Sequence, residues 1–347
     1  MKTKYLLMNL QLFANHVNVT TDAATGNNLS AEMKTFYDMT LIDEASAQLV
    51  HDQFGQKRPI PKNGGKTIEF RKFSNLPKAT TALTEGVTPD GKKLDVTSIT
   101  ATVSQYGDYI TQSDVLELTA LDNTILEATK LLGKQAGATL DTIVRNVLAA
   151  GTNVSYCPKV VSGAETAVTS RSGMDTTSKL TVKMVQKVVA KLRGQNAPTI
   201  GGKYVAIIHP YVAYDLMRDP EWIDAHKYAN PTNLYEGEIG EVAGVRFVQT
   251  TEAKVWNDDT CPANGSNKYH SVFATLFLGE GAYGVTEITG GGLQTIVKQK
   301  GSAGTADPLD QRSSVGWKAI KTAELLIPNY LVRVESCSPD FDETASN

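Results

Sequence analysis

The chain has 347 residues, 41% of them hydrophobic and 20% charged, which are the proportions of an ordinary globular protein and exclude wholesale disorder. Its 34 basic and 37 acidic side chains leave a formal net charge of −3, with both signs interspersed along the chain. That balance argues against a basic face built to neutralise nucleic-acid phosphates, while it remains compatible with a protein that merely encloses nucleic acid.

The length suits two domains or one elaborated domain with ample core. Cys157, Cys261 and Cys337 lie far apart, in an odd number and without CxxC pairing, so reduced thiols in a reducing compartment are expected. At the N-terminus, "MKTKYLLMNLQLFANHV" has the lysines and apolar run of a secretory signal, but Asn9 and Gln11 interrupt the run and no A-x-A site follows. The alternative is an amphipathic arm that docks on another part of an assembly. No segment approaches the roughly 20 apolar residues of a membrane span, so no membrane partner is expected.

"NHVNVTTDAATGNNLS" reads as an extended arm. Ser30 then caps a helix with Met33, Phe36, Tyr37, Leu41, Ala45 and Leu49 on one face, ending near Phe54-Gly55. From Gly64 to Thr111 the pattern is that of strands. "GGKTIEFRKF" sets Thr67, Glu69 and Arg71 opposite Ile68, Phe70 and Lys72, and "DVTSITATVSQYGDYI" returns as a second strand. Between them lies a polar stretch punctuated by Pro77, Gly86, Pro89 and Gly91. The pair predicts a long two-stranded ribbon with nothing in its own domain to bury it, held against another chain.

The longest helical signal follows. Asp114 with Glu117, or Thr124 with Glu127, offers a capping-box start; Leu118, Leu121, Ile125, Ala128, Leu132, Ala136, Leu140, Ile143 and Val147 then recur at helical spacing to Gly151. Gly133 and Gly137, one turn apart, predict either close packing on another backbone or a kink. After a loop-rich connection, Thr177 or Ser178 starts a helix with Leu180, Met184, Val188 or Val189, and Leu192 on its apolar side.

"KYVAIIHPYVAYDLMRDPEW" predicts a buried strand over Val205–Ile208, then a helix from Pro210 along Tyr211, Tyr214 or Asp215, and Met217 or Arg218, stopped by Asp219-Pro220. Residues 224–240 read as a polar loop. Strands follow at Val245–Gln249, in "SVFATLFLGEGAYGVTEI", in "LQTIVKQK" and twice near the end, before "PDFDETASN" as a solvated acidic tail. No internal repeat is visible.

Convergent chemistry is missing. His16, His51, His209, His226 and His270 are scattered, none at metal-ligand spacing, so neither a metal nor a cofactor is expected. The glycines of "GEGAYGVTEITGGG" lack the GxGxxG order, and no Walker or GxSxG motif occurs. His226 near Asp224 is the best acid–base pair, without a third member; His209, at a strand end before a proline, reads as structural. No catalytic residue is assigned, and an interaction or structural protein is the leading class.

The order of arm, ribbon, long helix, mixed α/β region and terminal strands resembles the major capsid protein of tailed double-stranded DNA bacteriophages, a fold shared with the herpesvirus capsid floor and encapsulins. "MNLQLFA", "GKTIEFRKF", "LTEGVTPDG", "QYGDYITQSD", "GKYVAIIHP", "LYEGEIGEVAGVRF" and "DPLDQRSSVGWK" carry the resemblance in order along most of the chain. It implies an α+β capsid fold: arm and helix over 1–57, extended β-ribbon loop over 58–108, and peripheral domain with spine helix over 109–177. An axial domain over 178–265 and returning strands and tail over 266–347 complete it.

The implied function is self-assembly into hexamers and pentamers of an icosahedral shell in the virion, built in the host bacterial cytoplasm, matured from a procapsid, and enclosing double-stranded DNA without sequence-specific binding. Implied partners are further copies of the chain, a separate scaffolding protein (only about sixty residues precede the ribbon, too few for a fused scaffolding domain), a portal protein and cement proteins. An encapsulin-like compartment enclosing protein cargo is the alternative, and an enzyme of unknown type a more distant one.

Overall fold

The computed structural model describes residues 39–45, 49–73, 76, 78–83, 85–88, 90–119, 124–229, 240–264, 268–287, 289, 291–302, 307–342 and 344–347. The expected N-terminal arm, most of the first helix, and residues 230–239 of the expected polar loop lie outside them.

In chain order the elements are α1 (39–45), β1 (Gln56–Lys57), β2 (Thr67–Phe73), β3 (Val96–Thr102), β4 (Ser104–Ser113), α2 (Asp114–Thr119) and α3 (Thr124–Ala149). Three short strands follow, β5 (Val154–Tyr156), β6 (Lys159–Val161) and β7 (Ala164–Thr166), then α4 (Val182–Gly194), β8 (Tyr204–Ile208), α5 (Pro210–Met217) and α6 (Pro220–Ala229). The rest is β9 (Glu241–Val242), β10 (Val245–Gln249), β11 (Val255–Trp256), β12 (Val272–Leu278), β13 (Tyr283–Glu287), β14 (Gln294–Lys298), β15 (Arg312–Leu325) and β16 (Leu331–Cys337).

These form two compact units. The first comprises residues 39–44, Gly107–Gln135 and Leu293–Lys318. In it β4 and β14 both pair with the first part of β15, β14 in the register Gln294↔Lys318 to Lys298↔Ser314. Gly133 settles the choice between packing and kink. A Cβ there would lie 2.9 Å from the Leu41 carbonyl oxygen and 3.0 Å from Glu44 Cβ, so only glycine lets α3 approach the backbone of α1 this closely. α3 begins at Thr124, one of the two expected starts, and Leu118, expected on the apolar face, lies on α2 and is 80% exposed.

The second unit comprises Ala45–Tyr106, Ala136–Gly292 and Ala319–Asn347. Its centre is a sheet in the order β5-β16-β12-β8-β10-β9, with β11 also on β12. β8 and β10 run parallel, which requires a crossover, and α5 and α6 lie in it. Both sheet faces are covered. On one face Ala206, Ile208, Phe247, Phe277 and Val334 pack with Val185, Val188 and Leu192 of α4 and with Leu216 of α5. On the other, Ile207, Leu276 and Leu278 meet Val144 and Leu148 of α3. That is why β8 and β12 are buried at every residue and read in sequence as unbroken apolar runs.

Several expectations need correction. α4 starts at Val182, because the Asp175 carboxylate accepts from Thr177 and closes a turn there, leaving Thr181 Oγ1 to cap the helix by accepting from Met184 N. α5 ends at Met217, so the stop expected at Asp219-Pro220 is present, but Pro220 then opens α6: Asp219 Oδ1 accepts from Glu221 N, Asp-Pro serves as cap and first residue, and 224–229, expected as loop, is helix. The buried face of α5 is Val212, Ala213, Asp215 and Leu216, with Tyr211 and Tyr214 half-buried beside it. The second ribbon strand breaks at Val103, β3 pairing with β2 and β4 with β15.

The acidic tail is docked. Phe341 stacks on Tyr211, Ser271 Oγ lies 2.7 Å from both the Asp342 and Thr344 carbonyl oxygens and can donate to either, and Val255 N donates to Asn347 Oδ1 at 2.9 Å.

Candidate assembly surface

His209 closes β8 and caps α5. Its Nδ1 accepts from Tyr211 N at 3.2 Å, and its ring lies 5.0 Å from that of Phe273. Burial lowers its pKa to about 4, so the imidazole is neutral and an acceptor at neutral pH. Its ring also meets that of Tyr211, with centroids 4.6 Å apart. His270 Nδ1 lies 2.5 Å from Asp342 Oδ2, which ties the tail to β12. Asp224 and His226 both fall on α6, and the side chain of His226 is outside the described residues.

The most enclosed polar pair is one that sequence reasoning missed. His51 and Asp141, both with no exposed side-chain surface, meet through Nδ1 and Oδ2 at 2.7 Å. Asp141 Oδ1 accepts the backbone N–H of His51 at 2.7 Å and of Val50 at 2.9 Å, and the Tyr283 hydroxyl donates to the His51 carbonyl. Burial pushes the Tyr283 pKa up, keeping that hydroxyl a donor. Ninety residues separate His51 from Asp141, so no local pattern could have joined them. With no solvent access, the cluster clamps the turn at 51–54 onto α3 and offers a substrate no entry. Among the described residues no group of three or more His, Cys, Asp or Glu could hold a metal ion, and no helix is long and apolar enough to cross a membrane.

The surface that does present itself is the ribbon. β2 and β3 pair antiparallel from Thr67↔Thr102 to Phe73↔Val96. The base is anchored on its own chain, against expectation: Phe70 and Ala101 are buried with Leu326, and Ile68, Ile99 and Ile327 pack around them. Phe70 lies over Gly284, where a Cβ would come within 2.8 Å of the ring. This works because period-two alternation turns Ile68 and Phe70 to one face.

Beyond the base every described residue from Leu76 to Leu94 is exposed. Leu76, Leu83, Val87 and Leu94 are 55%, 76%, 63% and 60% exposed. Full burial of one such side chain is worth about 1.5–3 kcal/mol, so a partner covering the ribbon would gain substantially. The first unit adds exposed Val115, Leu118, Leu131 and Leu309. These surfaces can associate.

A family model described as phage capsid protein matches residues 8–303. No curated protein sequence matches the chain. Among solved structures, the capsid of cyanophage P-SCSP1u aligns with a TM-score of 0.62 at 15% identity, covering 82% of this chain and 87% of that one. The capsid of Ralstonia phage GP4 gives 0.63 at 12% identity over 85% and 90%. The capsid of cyanophage Pam1 gives 0.64 at 14% identity over 85% and 92%. At such identities the likeness is one of fold.

Proposed function

This chain belongs to the phage capsid protein family and is the major capsid protein of a phage, and we propose that it closes the icosahedral shell as hexamers and pentamers around double-stranded DNA. Its role is structural, its place the virion, and its first partner is another copy of itself. The observation that carries the finer reading is the ribbon. A paired two-stranded arm anchored at Phe70 projects apolar side chains that its own chain leaves uncovered, as an arm lying over a neighbouring subunit must.

On this reading residues 58–108 are the extended loop, and α3 is the spine of a peripheral region over 109–177. Residues 178–265 form an axial region turned toward the capsomer centre, and 266–347 return to both. A separate scaffolding protein, a portal protein and cement proteins belong to the same reading, as do procapsid maturation and assembly in the host cytoplasm. Three free, buried cysteines suit that reducing compartment. No catalytic residue is assigned.

Negative-stain microscopy of the expressed chain tests the reading. Closed shells or capsomers are expected; a small discrete particle at every concentration would overturn it. DNA inside particles from infected cells separates a genome shell from a compartment for protein cargo.

A further inference from the structure

α4 buries Val182, Met184, Val185, Val188, Val189 and Leu192, so its other side faces outward. On that side Lys183, Lys187 and Lys191 follow one another at intervals of four residues, and Arg193 comes next. The helix contains no Asp or Glu. At about 1.5 Å of rise per residue, successive lysines stand roughly 6 Å apart along one line. Among the described residues only Glu165 forms an ion pair with the row, meeting Lys183 at 2.6 Å. Lys191 Nζ donates to the neutral Ser155 Oγ at 3.3 Å.

Like charges four residues apart destabilise a helix, and a solvated face ordinarily alternates them with carboxylates. Here the repulsion is left standing, in a chain whose overall charge is −3. Partial burial first, and the Lys187 charge second, pull the Lys191 pKa down.

We propose that this lysine row on α4 is a sequence-independent contact for the phosphate backbone of the enclosed duplex. The inference rests on the reading of the shell as a DNA container. Duplex DNA carries one negative charge per roughly 1.7 Å of axis, so a line of three cations over roughly 12 Å meets phosphates wherever it lies along the groove edge. Lysines act as point charges without the fork that selects a base, which suits a wall that holds DNA without reading it. A pocket of ≈ 210 Å³ beside the row, lined in part by Tyr156, Val168 and Met184, is the feature an acidic peptide with an apolar anchor would use. The row continues past that pocket to Lys191, which favours the longer, evenly charged ligand.

The test measures binding of the full-length subunit to a duplex of about 30 base pairs across a salt series. For the wild type, weak binding with a negative log–log salt slope is expected. In K183Q/K187Q/K191Q the slope should shrink by about 2–3, and in K187Q alone by about 1. Gln matches Lys closely in helix propensity, and circular dichroism checks that the variants fold. A ribbon variant, K78Q/K92Q/K93Q, should keep the wild-type slope.

No duplex binding by the wild type, unchanged slopes in both row variants, or the loss appearing in the ribbon variant would each overturn the proposal. So would polyglutamate displacing the duplex at far lower charge concentration, which would assign the row to an acidic protein. Shells that form normally while the slopes stay equal would sink the DNA contact alone. Absence of shells would strike the capsid reading itself.

Discussion

Phe341 lies face to face on Tyr211, ring centroids 3.9 Å apart and planes within 6°, joining the end of the chain to the first turn of α5. Such stacking contributes about 0.5–1.5 kcal/mol beyond area burial. Phe341→Ala should therefore destabilise the subunit by roughly 2 kcal/mol, below the range for a fully buried ring because Phe341 is only half-buried. Urea unfolding gives the stability change, and carboxypeptidase digestion should trim the variant's tail faster. Equal digestion of both proteins would show the tail is not held there.

Tyr211 also donates its backbone N–H to His209, and the burial of that imidazole makes stability depend on pH. The folded pKa of His209, about 4, lies below the ordinary 6.5. The folded state then binds fewer protons than the unfolded one, so stability is present above about pH 6.5 and falls as pH drops toward 4. At about 1.4 kcal/mol per pKa unit the loss approaches roughly 3 kcal/mol. His209→Asn retains a capping acceptor and cannot titrate. Its unfolding free energy should flatten over that window, and a profile parallel to the wild type would refute the assignment.

The ribbon should be cut in free subunits and protected in shells. Between Leu76 and Lys93 the described residues are exposed and lie outside the β2–β3 pairing, open to a protease. Limited proteolysis with mapping of the fragments decides this, and identical cleavage in the two states would count against coverage by a neighbour.

Removing Asp141 should be costly. Asp141→Ala strands the His51 ring and the backbone N–H groups of His51 and Val50 in a dry interior. A loss of roughly 3–5 kcal/mol is expected, as for breaking a buried pair from one side. Chemical denaturation measures it; a loss under about 1 kcal/mol would mean that solvent reaches the cluster.

Gly133→Ala sets two effects against each other. Helix propensity favours alanine by about 1 kcal/mol. The new methyl would sit 2.9 Å from the Leu41 oxygen, a backbone atom that cannot turn aside. Net destabilisation is expected in thermal melts, and a raised midpoint would show that α1 yields.

How much of this was legible in the sequence follows from the range of each interaction. The Tyr204–Ile208 strand, Pro210 as a helix start and the alternation of "TIEFRKF" are set by neighbours within a few residues, so composition and periodicity reveal them. The lysine row was equally local, at a fixed interval of four, but average charge concealed it because charge counts ignore which side of a helix a residue occupies. The stop at Asp219-Pro220 was legible, whereas the helix that Pro220 opens was not, because the same proline can end one helix and begin the next, and only the chain that follows decides the second.

The His51–Asp141 clamp, the Phe341–Tyr211 stack and the anchoring of Phe70 over Gly284 join residues far apart in sequence. Each depends on which elements pack together, and burial in a core is roughly proportional to area and indifferent to direction. Local sequence therefore determined which segments were helix and strand. Only the tertiary packing decided which polar groups were shut away from water, and so which apolar side chains were left for another subunit to cover.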